Sequence, residues 1–184
     1  MSDEANALSK FLSYVLRHKP EHIGLELDSE GWAAVAELIS GAAEKGIFIN
    51  SSKIQELVSL SDKKRFEISS DGLKVRAVQG HSSKLVNRNY VEFKPPLFLY
   101  HGTATRFLDS IRQHGLIAGE RHHVHLTQDK SSALEVGRRY GKVVVLKINS
   151  NLMHVEGFKF FKAENDVWLP ACVPPDFIDE VEEE

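Results

Sequence analysis

The sequence predicts an α+β protein of two lobes, and the changing spacing of its apolar residues is the main evidence. Between residues 8 and 58 the apolar residues recur every three or four positions, as in amphipathic helices. Between residues 66 and 77 they alternate with polar residues, as in a β-hairpin. Beyond residue 97, short apolar runs are separated by helical segments, which favours a second, mixed lobe. We therefore predict lobes at 1–90 and 97–175, followed by an acidic tail at 176–184.

Three helices are predicted in the first lobe. The first ends before Pro20, because the residue that precedes a proline disfavours the helical conformation. The second follows the turn at 28–31 and ends near Gly46. The third begins at Asn50 or Ser51, either of which can cap it.

A hairpin follows these helices, with its turn at Asp71-Gly72. Three helices and a hairpin indicate a winged helix, a form common among nucleic-acid-binding proteins. A fold of this kind does not by itself fix a function.

The second lobe follows a polar, proline-terminated segment at 87–96 that is typical of a linker. Its helices are predicted at 105–114 and 131–140. Its strands are predicted at 97–100, 124–127, 143–148, 158–161 and 167–169.

Composition is that of an ordinary soluble globular protein, with 42% hydrophobic and 27% charged residues. No apolar run approaches the length of a membrane span, and residues 1–6 lack the pattern of a signal peptide. Cys172 is the only cysteine, which excludes an internal disulfide and disfavours a cysteine zinc site. We expect a cytoplasmic location.

The formal net charge of −3 hides an uneven distribution of charge. Six acidic residues and no Lys or Arg lie in 176–184, whereas residues 53–94 carry nine Lys or Arg against five Asp or Glu, a net of +4. Such a stretch is compatible with contacts to nucleic-acid phosphates. An ordinary solvated surface is the alternative.

Candidate anion-binding residues of the first lobe lie at the end of the first helix and on the hairpin. Arg17 and His18 occupy the last helical turn, where they could instead complement the helix dipole. Arg76 and Lys74 share the polar face of the second hairpin strand, where both could simply be solvated. The turn at 79–82 offers backbone N–H groups and a hydroxyl that suit an anion.

Two segments of the second lobe are candidates for ligand contacts. His101-Gly102-Thr103 is predicted between a strand and a helix, where N–H groups and a hydroxyl can hold phosphate or ribose oxygens, unless the segment is only a capped turn. Arg138 and Arg139 close a helix between two glycines, and a solvated basic helix end is the alternative.

A metal site was also weighed. His123 and His125 lie on one face of their predicted strand and could join His101 in a three-histidine site. Because no carboxylate or cysteine is placed to complete or orient such a site, we predict no metal. The sequence also lacks a glycine-rich dinucleotide fingerprint, a phosphate loop and a nucleophile elbow.

Taken in order, the motifs of both lobes resemble one family, the tRNA 2'-phosphotransferases of the KptA type. The resemblance covers nearly the whole chain except the acidic tail. It is carried by seven segments: 8–18, 31–32, 75–82, 99–103, 123–127, 136–141 and 165–169.

The resemblance implies a winged-helix lobe that receives an RNA 2'-phosphate and a second lobe similar to the NAD-binding fold of ADP-ribosyltransferases. It implies NAD+ as co-substrate and RNA with an internal 2'-phosphate, as in tRNA splicing, as partner. The RNA phosphate would displace nicotinamide from NAD+. The ribose 2''-hydroxyl would then attack the phosphate, giving RNA with a free 2'-hydroxyl and ADP-ribose 1'',2''-cyclic phosphate.

The same resemblance implies the site residues. The catalytic set would be Arg17, His18, Arg76 and Arg139, the last chosen by a Gly-x-Arg-x-Gly pattern, with Arg138 as the alternative. The co-substrate would contact His101, Gly102, Thr103, His125 and Val167, and the RNA phosphate would also contact Lys74, His81 and Ser82.

Arginine suits this chemistry because it stays protonated and binds phosphate through two parallel N–H bonds. Two other functions remain open from the sequence. One is an ADP-ribosyltransferase that stops after a single transfer, and the other is a non-catalytic winged-helix RNA-binding protein. The oligomeric state and the physiological RNA are not determined by the sequence.

Overall fold

The protein was analysed as a computed structural model that describes residues 3–60 and 64–181. Its chain divides into two compact units, residues 1–89 and 90–184. Each unit combines helices with small antiparallel sheets, which confirms the α+β class. Within the described ranges, none of the helices has both the length and the apolar character needed to cross a membrane.

Among its described residues, unit 1 has three α-helices and one three-stranded antiparallel sheet with strand order β1-β3-β2. A short 3-10 helix, Pro20–Ile23, follows the first α-helix. The elements are α1 (Asp3–Arg17), β1 (Ala33–Ala34), α2 (Val35–Glu44), α3 (Ser51–Ser59), β2 (Phe66–Ile68) and β3 (Lys74–Ala77).

The three predicted helices and the hairpin are confirmed. Asn50 caps α3, since its side chain accepts a hydrogen bond from the backbone N–H of Lys53 at 2.8 Å. β1 was not predicted, because two residues are too few to show a periodicity. It pairs with β3 and widens the hairpin to three strands. The apolar faces of these elements pack together in one hydrophobic core, which includes Leu12, Leu16 and Val75.

Over residues 90–181, unit 2 has three α-helices and three small antiparallel sheets, with strand orders β11-β7-β5, β4-β8-β9 and β10-β6. Its elements are β4 (Val91–Glu92), β5 (Leu99–Ala104), α4 (Leu108–His114), β6 (Leu116–Ile117), α5 (Lys130–Gly137), β7 (Val143–Ile148), α6 (Ser150–Val155), β8 (Phe160–Lys162), β9 (Trp168–Pro170), β10 (Cys172–Val173) and β11 (Ile178–Val181). Three further 3-10 helices span Thr105–Phe107, Arg138–Tyr140 and Pro175–Phe177.

Three predictions for this unit were wrong in part. Residues 101–103 do not lie in a turn, because β5 continues to Ala104 in register with β7. The predicted linker includes β4, which pairs with β8. The predicted strand at 124–127 forms only two isolated bridges, Tyr100 to Thr127 and Leu126 to Trp168.

The predicted acidic tail also contains structure. Residues 178–181 form β11, an edge strand that pairs with β7 from Ile178 opposite Ile148 to Val181 opposite Val145. The order Ile178-Asp179-Glu180-Val181 shows no alternation of apolar and charged residues, so its spacing does not predict a strand. Residues 182–184 lie outside the described residues.

Candidate active site

The end of α1 in unit 1 holds two of the predicted catalytic side chains. The Nδ1 atom of His18 and the hydroxyl oxygen of Ser82 are 3.0 Å apart and share a hydrogen bond. The backbone N–H of Ser82 donates to the carbonyl oxygen of Arg17 at 2.9 Å. The turn at 79–82 is therefore attached to the last turn of α1 through both its backbone and a side chain.

Arg17 itself does not fold back on its own helix. Its Nη2 atom donates to the carbonyl oxygen of Arg65 at 3.4 Å, and its guanidinium lies 6.0 Å from the ring of Phe66. Gly80 adopts a φ of +89°, and a Cβ placed there would lie 3.6 Å from Cδ of Arg17. The contacts of Arg17 thus join α1, β2 and the 79–82 turn.

A solvated side chain was the alternative considered for Arg76, and with 11% exposure the side chain is instead mostly buried. Its Nε and Nη2 atoms donate to Oε2 of Glu67 at 2.9 and 2.7 Å. Its Nη1 atom is 3.7 Å from Oε2 of Glu30, and its guanidinium lies 4.3 Å above the ring of Trp32. Two carboxylates and one aromatic ring therefore define the position of this guanidinium.

The two other basic residues predicted to bind the RNA phosphate occupy different surroundings. Lys74 is exposed, and its Nζ atom is 3.7 Å from Oδ2 of Asp28. His81 is buried, with 3% exposure, and its Nε2 atom would lie 2.9 Å from a Cβ placed on Gly31. The position of His81 gives it a packing role at the 28–31 turn in addition to any contact with a ligand.

In unit 2, His101 and His125 are joined by a hydrogen bond in which Nδ1 of His101 donates to the carbonyl oxygen of His125 at 3.0 Å. Burial lowers the pKa of His101, the hydrogen bond to His125 opposes this effect, and the charge of Arg121 lowers the pKa further. The ring is therefore neutral at pH 7, with its proton on Nδ1 and a lone pair on Nε2.

The ring of His125 carries the opposite tautomer. Nη1 of Arg121 donates to Nδ1 of His125 at 3.0 Å, and because a guanidinium has only donors, Nδ1 must be the acceptor. A neutral His125 then has its proton on Nε2. The two rings thus differ in tautomer, with Nδ1 of His101 a donor and Nδ1 of His125 an acceptor.

Gly102 and Thr103 position α5 against β5. A Cβ placed on Gly102 would lie 1.6 Å from the carbonyl oxygen of Ala133, and one on Gly137 would lie 2.8 Å from the carbonyl oxygen of Thr103. Only glycine allows the two backbones to approach this closely. Gly102 therefore has a structural function that the sequence did not indicate.

The helix α5 starts at a strong cap and leads to the two candidate arginines. Asp129 accepts hydrogen bonds from the backbone N–H groups of Ser131 and Ser132 at 3.2 and 2.8 Å. Hydrogen bonds from Ser132 and Ser131 lower the pKa of Asp129 to about 2. The helix ends at Gly137, and Arg138 and Arg139 follow in an exposed 3-10 turn.

The remaining predicted contact, Val167, closes a turn in which its carbonyl oxygen accepts from the backbone N–H of Ala163 at 2.9 Å. The next residue, Trp168, exchanges two backbone hydrogen bonds with Leu126, each of 2.9 Å. Val167 is thus fixed close to the segment that contains His125.

Of the three histidines that could form a metal site, His123 has ring contacts that involve neither His101 nor His125. His123 packs edge-on against Tyr90 and Phe161, with ring centroids 5.9 Å apart in both pairs. Burial, followed by the charge of His122, lowers the pKa of His123. In the part of the chain that the structure describes, no group of three His, Cys, Asp or Glu side chains is arranged to hold a metal ion.

Sequence reasoning missed Glu67, Glu30, Arg88 and Arg121. The pairing of Glu67 with Arg76 could have been predicted, because a hairpin turn centred on Asp71-Gly72 places residue 67 opposite residue 76, as observed. The contacts of the other three depend on loops that carry no periodicity.

The imidazole and guanidinium groups of unit 1 and the hydrogen-bonded histidines of unit 2 are types of group that can bind anions and hydroxyls. Comparison with known proteins identifies the class of protein. Residues 3–171 match the model of the RNA 2'-phosphotransferase, Tpt1/KptA family. The chain belongs to this family.

Individual relatives agree with the match. The chain is 58% identical over 180 residues to a protein of Pectobacterium carotovorum described as "Probable RNA 2'-phosphotransferase", with 97% of each chain covered. Proteins of the same description from Pseudomonas fluorescens and Pseudomonas aeruginosa are each 56% identical. Those matches cover 92% and 94% of this chain and 93% and 94% of the relatives.

Proposed function

We propose that the protein is an NAD+-dependent RNA 2'-phosphotransferase. The observation that carries the proposal is the family match, which runs through both units and includes the assigned residues Arg17, His18, Arg76 and Arg139. In the proposed reaction the RNA 2'-phosphate displaces nicotinamide from NAD+. The resulting RNA, which carries a 2'-phospho-ADP-ribose group, is resolved to RNA with a 2'-hydroxyl and ADP-ribose 1'',2''-cyclic phosphate.

Unit 1 supports a role in binding the RNA phosphate through what we propose to be a winged-helix lobe. The side chains of Arg17, His18 and Arg76 each form a hydrogen bond with a residue that lies outside their own helix or strand. Donors fixed before the substrate arrives stabilise the charge of a transition state without reorganisation. An imidazole such as that of His18 can donate to a phosphoryl oxygen or transfer a proton.

Unit 2 supports a role in binding NAD+ through what we propose to be an ADP-ribosyltransferase-like lobe. A ribose hydroxyl both donates and accepts hydrogen bonds, and two neutral imidazole rings of opposite tautomer include groups of both kinds. This difference between His101 and His125 supports the proposal that unit 2 binds the sugar part of NAD+. Bound NAD+ would supply an electrophilic ribose carbon with nicotinamide as leaving group.

Gly102, Thr103 and Val167 would contribute to NAD+ binding mainly through the backbone. Thr103 is buried in β5, and Gly102 fixes the distance between β5 and α5. We assign Arg139 to the transition state of the phosphate transfer. Arg138 remains the alternative, because both side chains are exposed in the same 3-10 turn.

The decisive experiment incubates the protein with an oligonucleotide that carries one internal 2'-phosphate, with and without NAD+, and identifies all products by mass. We expect dephosphorylated RNA, nicotinamide and ADP-ribose cyclic phosphate in equal amounts, and only with NAD+. Inorganic phosphate released without NAD+ would show a phosphatase. An RNA adduct that is never resolved would show an ADP-ribosyltransferase that stops after one transfer.

A further inference from the structure

Arg121 is a charged residue beside the hydrogen-bonded histidines of unit 2, and it belongs to none of the proposed catalytic or binding sets. Its Nη1 atom donates to Nδ1 of His125 at 3.0 Å. Burial lowers the pKa of His101, and the charge of Arg121 lowers it further. One guanidinium therefore acts on both imidazole rings, on one through a hydrogen bond and on the other through its charge.

The main chain around His125 is held by hydrogen bonds to other segments. The neighbouring Leu126 exchanges two backbone hydrogen bonds with Trp168, each of 2.9 Å. The carbonyl oxygen of His125 itself accepts from Nδ1 of His101 at 3.0 Å. Because these contacts fix the backbone, the orientation of the His125 ring depends on what its side chain contacts.

The segment that carries Arg121 is a turn that leads back to this ring. The backbone N–H of Arg121 donates to the carbonyl oxygen of Ala118 at 3.2 Å. Gly119, with a φ of +64°, supplies the left-handed conformation that this turn contains. The Arg121 side chain is exposed, so its removal takes little from the hydrophobic core.

A guanidinium constrains an imidazole more than most partners do, because all its N–H groups are donors and it has no acceptor. Nδ1 of His125 must therefore accept, and the neutral ring carries its proton on Nε2. An imidazole without such a partner populates both neutral tautomers. The contact with Arg121 thus selects one form of the ring.

We propose that Arg121 is a positioning residue that fixes the orientation and the tautomer of the His125 ring before NAD+ binds. The inference rests on the proposed function, in which His125 contacts the co-substrate. When the competent form of a site is the only one populated, binding loses no affinity to the selection of that form. Arg121 thus acts on NAD+ through His125, and not through a contact of its own.

The first test requires no turnover. Long-range ¹H–¹⁵N NMR spectra at pH 7.5 show which nitrogen of a neutral imidazole carries the proton, and the His125 signals are identified by their loss in His125→Ala. We expect the Nε2–H form alone in the wild type, and the Nδ1–H form in addition in Arg121→Ala. Equal tautomer populations in these two proteins would overturn the proposal.

The matched control is Arg106→Ala. Arg106 is another exposed arginine of unit 2, and its guanidinium lies 4.7 Å from the ring of Phe107. This variant should keep the single His125 tautomer of the wild type. Appearance of the second tautomer in Arg106→Ala as well would show a general effect of charge on the unit, and would also overturn the proposal.

Binding of ADP-ribose, measured by calorimetry, separates positioning from direct contact. Arg121→Ala should weaken binding roughly three- to tenfold, the range that corresponds to the loss of one hydrogen bond. In a His125→Ala background, Arg121→Ala should weaken it no further, because the ring that Arg121 orients is absent. An equal loss in both backgrounds would show that Arg121 contacts the ligand itself, and unchanged binding in Arg121→Ala would show that it has no part in the site; either result contradicts the proposal.

Failure of the proposed function gives a different result. If the wild type neither binds ADP-ribose nor catalyses NAD+-dependent transfer, the proposed function is wrong. The NMR spectra would still decide whether Arg121 holds the ring of His125.

Discussion

At the scale of single residues, the tertiary contacts separate side chains that look alike in the sequence. Arg17 and Arg76 are each held by several groups, whereas Arg138 and Arg139 lie exposed in one 3-10 turn. Such differences decide which arginine can act as a preorganised donor and which must be ordered by its ligand.

The choice between the two exposed arginines can be tested directly. We expect Arg139→Ala to slow the second step, phosphate transfer, by about 10²–10³, because charge gathers at phosphorus in that step. RNA that carries the 2'-phospho-ADP-ribose adduct should accumulate. Arg138→Ala, the neighbouring control, should slow the same step by less than about tenfold. Single-turnover gels that resolve substrate, adduct and product would measure both.

If Arg138→Ala slows phosphate transfer more than Arg139→Ala does, Arg138 is the catalytic arginine. Equal slowing of both steps without any adduct would show that Arg139 acts in placing the nucleophile.

The lowered pKa of His101 predicts a pH dependence of stability. Its folded pKa lies below the ordinary value of 6.5, so the unfolded chain takes up the proton first as the pH falls. The stabilisation from the neutral ring is complete above pH 6.5 and is lost as the pH falls through the folded pKa. We expect the melting temperature of the wild type to fall more between pH 7.5 and pH 5.5 than that of His101→Asn.

In that comparison, asparagine keeps a donor for the carbonyl oxygen of His125 but does not titrate. His123 contributes to the pH dependence of both proteins, so only the difference between them reports on His101. Parallel melting curves across the range would contradict the prediction.

At the scale of elements, the contact between β5 and α5 is set by glycine. Gly102 and Gly137 let the two backbones approach without side chains between them. The carbonyl group of Thr103 and the first turn of the Arg138–Tyr140 helix are positioned by this contact. Gly102 therefore sets the distance between β5 and α5, in addition to any contact that it makes with a ligand.

We expect Gly102→Ala to lower the free energy of unfolding by about 3 kcal/mol or more, because the added Cβ would meet the Ala133 carbonyl oxygen at 1.6 Å. Thermal unfolding at pH 7.5 would measure this loss. His101→Asn, one residue away on the same strand, should remain close to the wild type at that pH. Similar stability of Gly102→Ala and the wild type would show that β5 and α5 can separate without cost.

At the scale of the whole molecule, the C-terminal acidic residues combine two effects that the sequence does not separate. The strand β11 lies at the edge of its sheet, and Glu180 forms a two-point ion pair with Arg112 of α4, at 2.7 and 3.0 Å. Glu182, Glu183 and Glu184, which carry three of the acidic charges, lie outside the described residues. Shortening the chain should therefore have different consequences at different lengths.

We expect removal of 182–184 to change the formal charge from −3 to 0, to strengthen RNA binding at low salt and to leave melting unchanged. Removal of 178–184 should also delete β11 and lower the melting temperature by about 5 °C, given that each kcal/mol corresponds to roughly 2–4 °C in a chain of this size. RNA titrations at two salt concentrations and thermal unfolding would check both. Equal melting of the two truncated proteins would show that β11 is dispensable.

The sequence by itself determined the α+β class, the three helices of unit 1, the hairpin and the family. Helix spacing and turn residues such as Asn50 and Asp71-Gly72 are local signals, so they can be read without contacts. The ordered motifs at 8–18 and 99–103 are likewise properties of the sequence alone. The proposed phosphate transfer was predicted from the resemblance of these ordered motifs to one family, and not from any single residue.

The tertiary structure alone decided which groups hold the functional side chains. The pairing of Glu67 with Arg76 needs a strand register, and the tautomer of His101 needs a hydrogen bond to the backbone of His125, which is distant in sequence. The close approach at Gly102 and the pairing of β11 depend on elements brought together by folding. Local periodicity carries no information about such long-range contacts, because each depends on burial and register set by the whole unit.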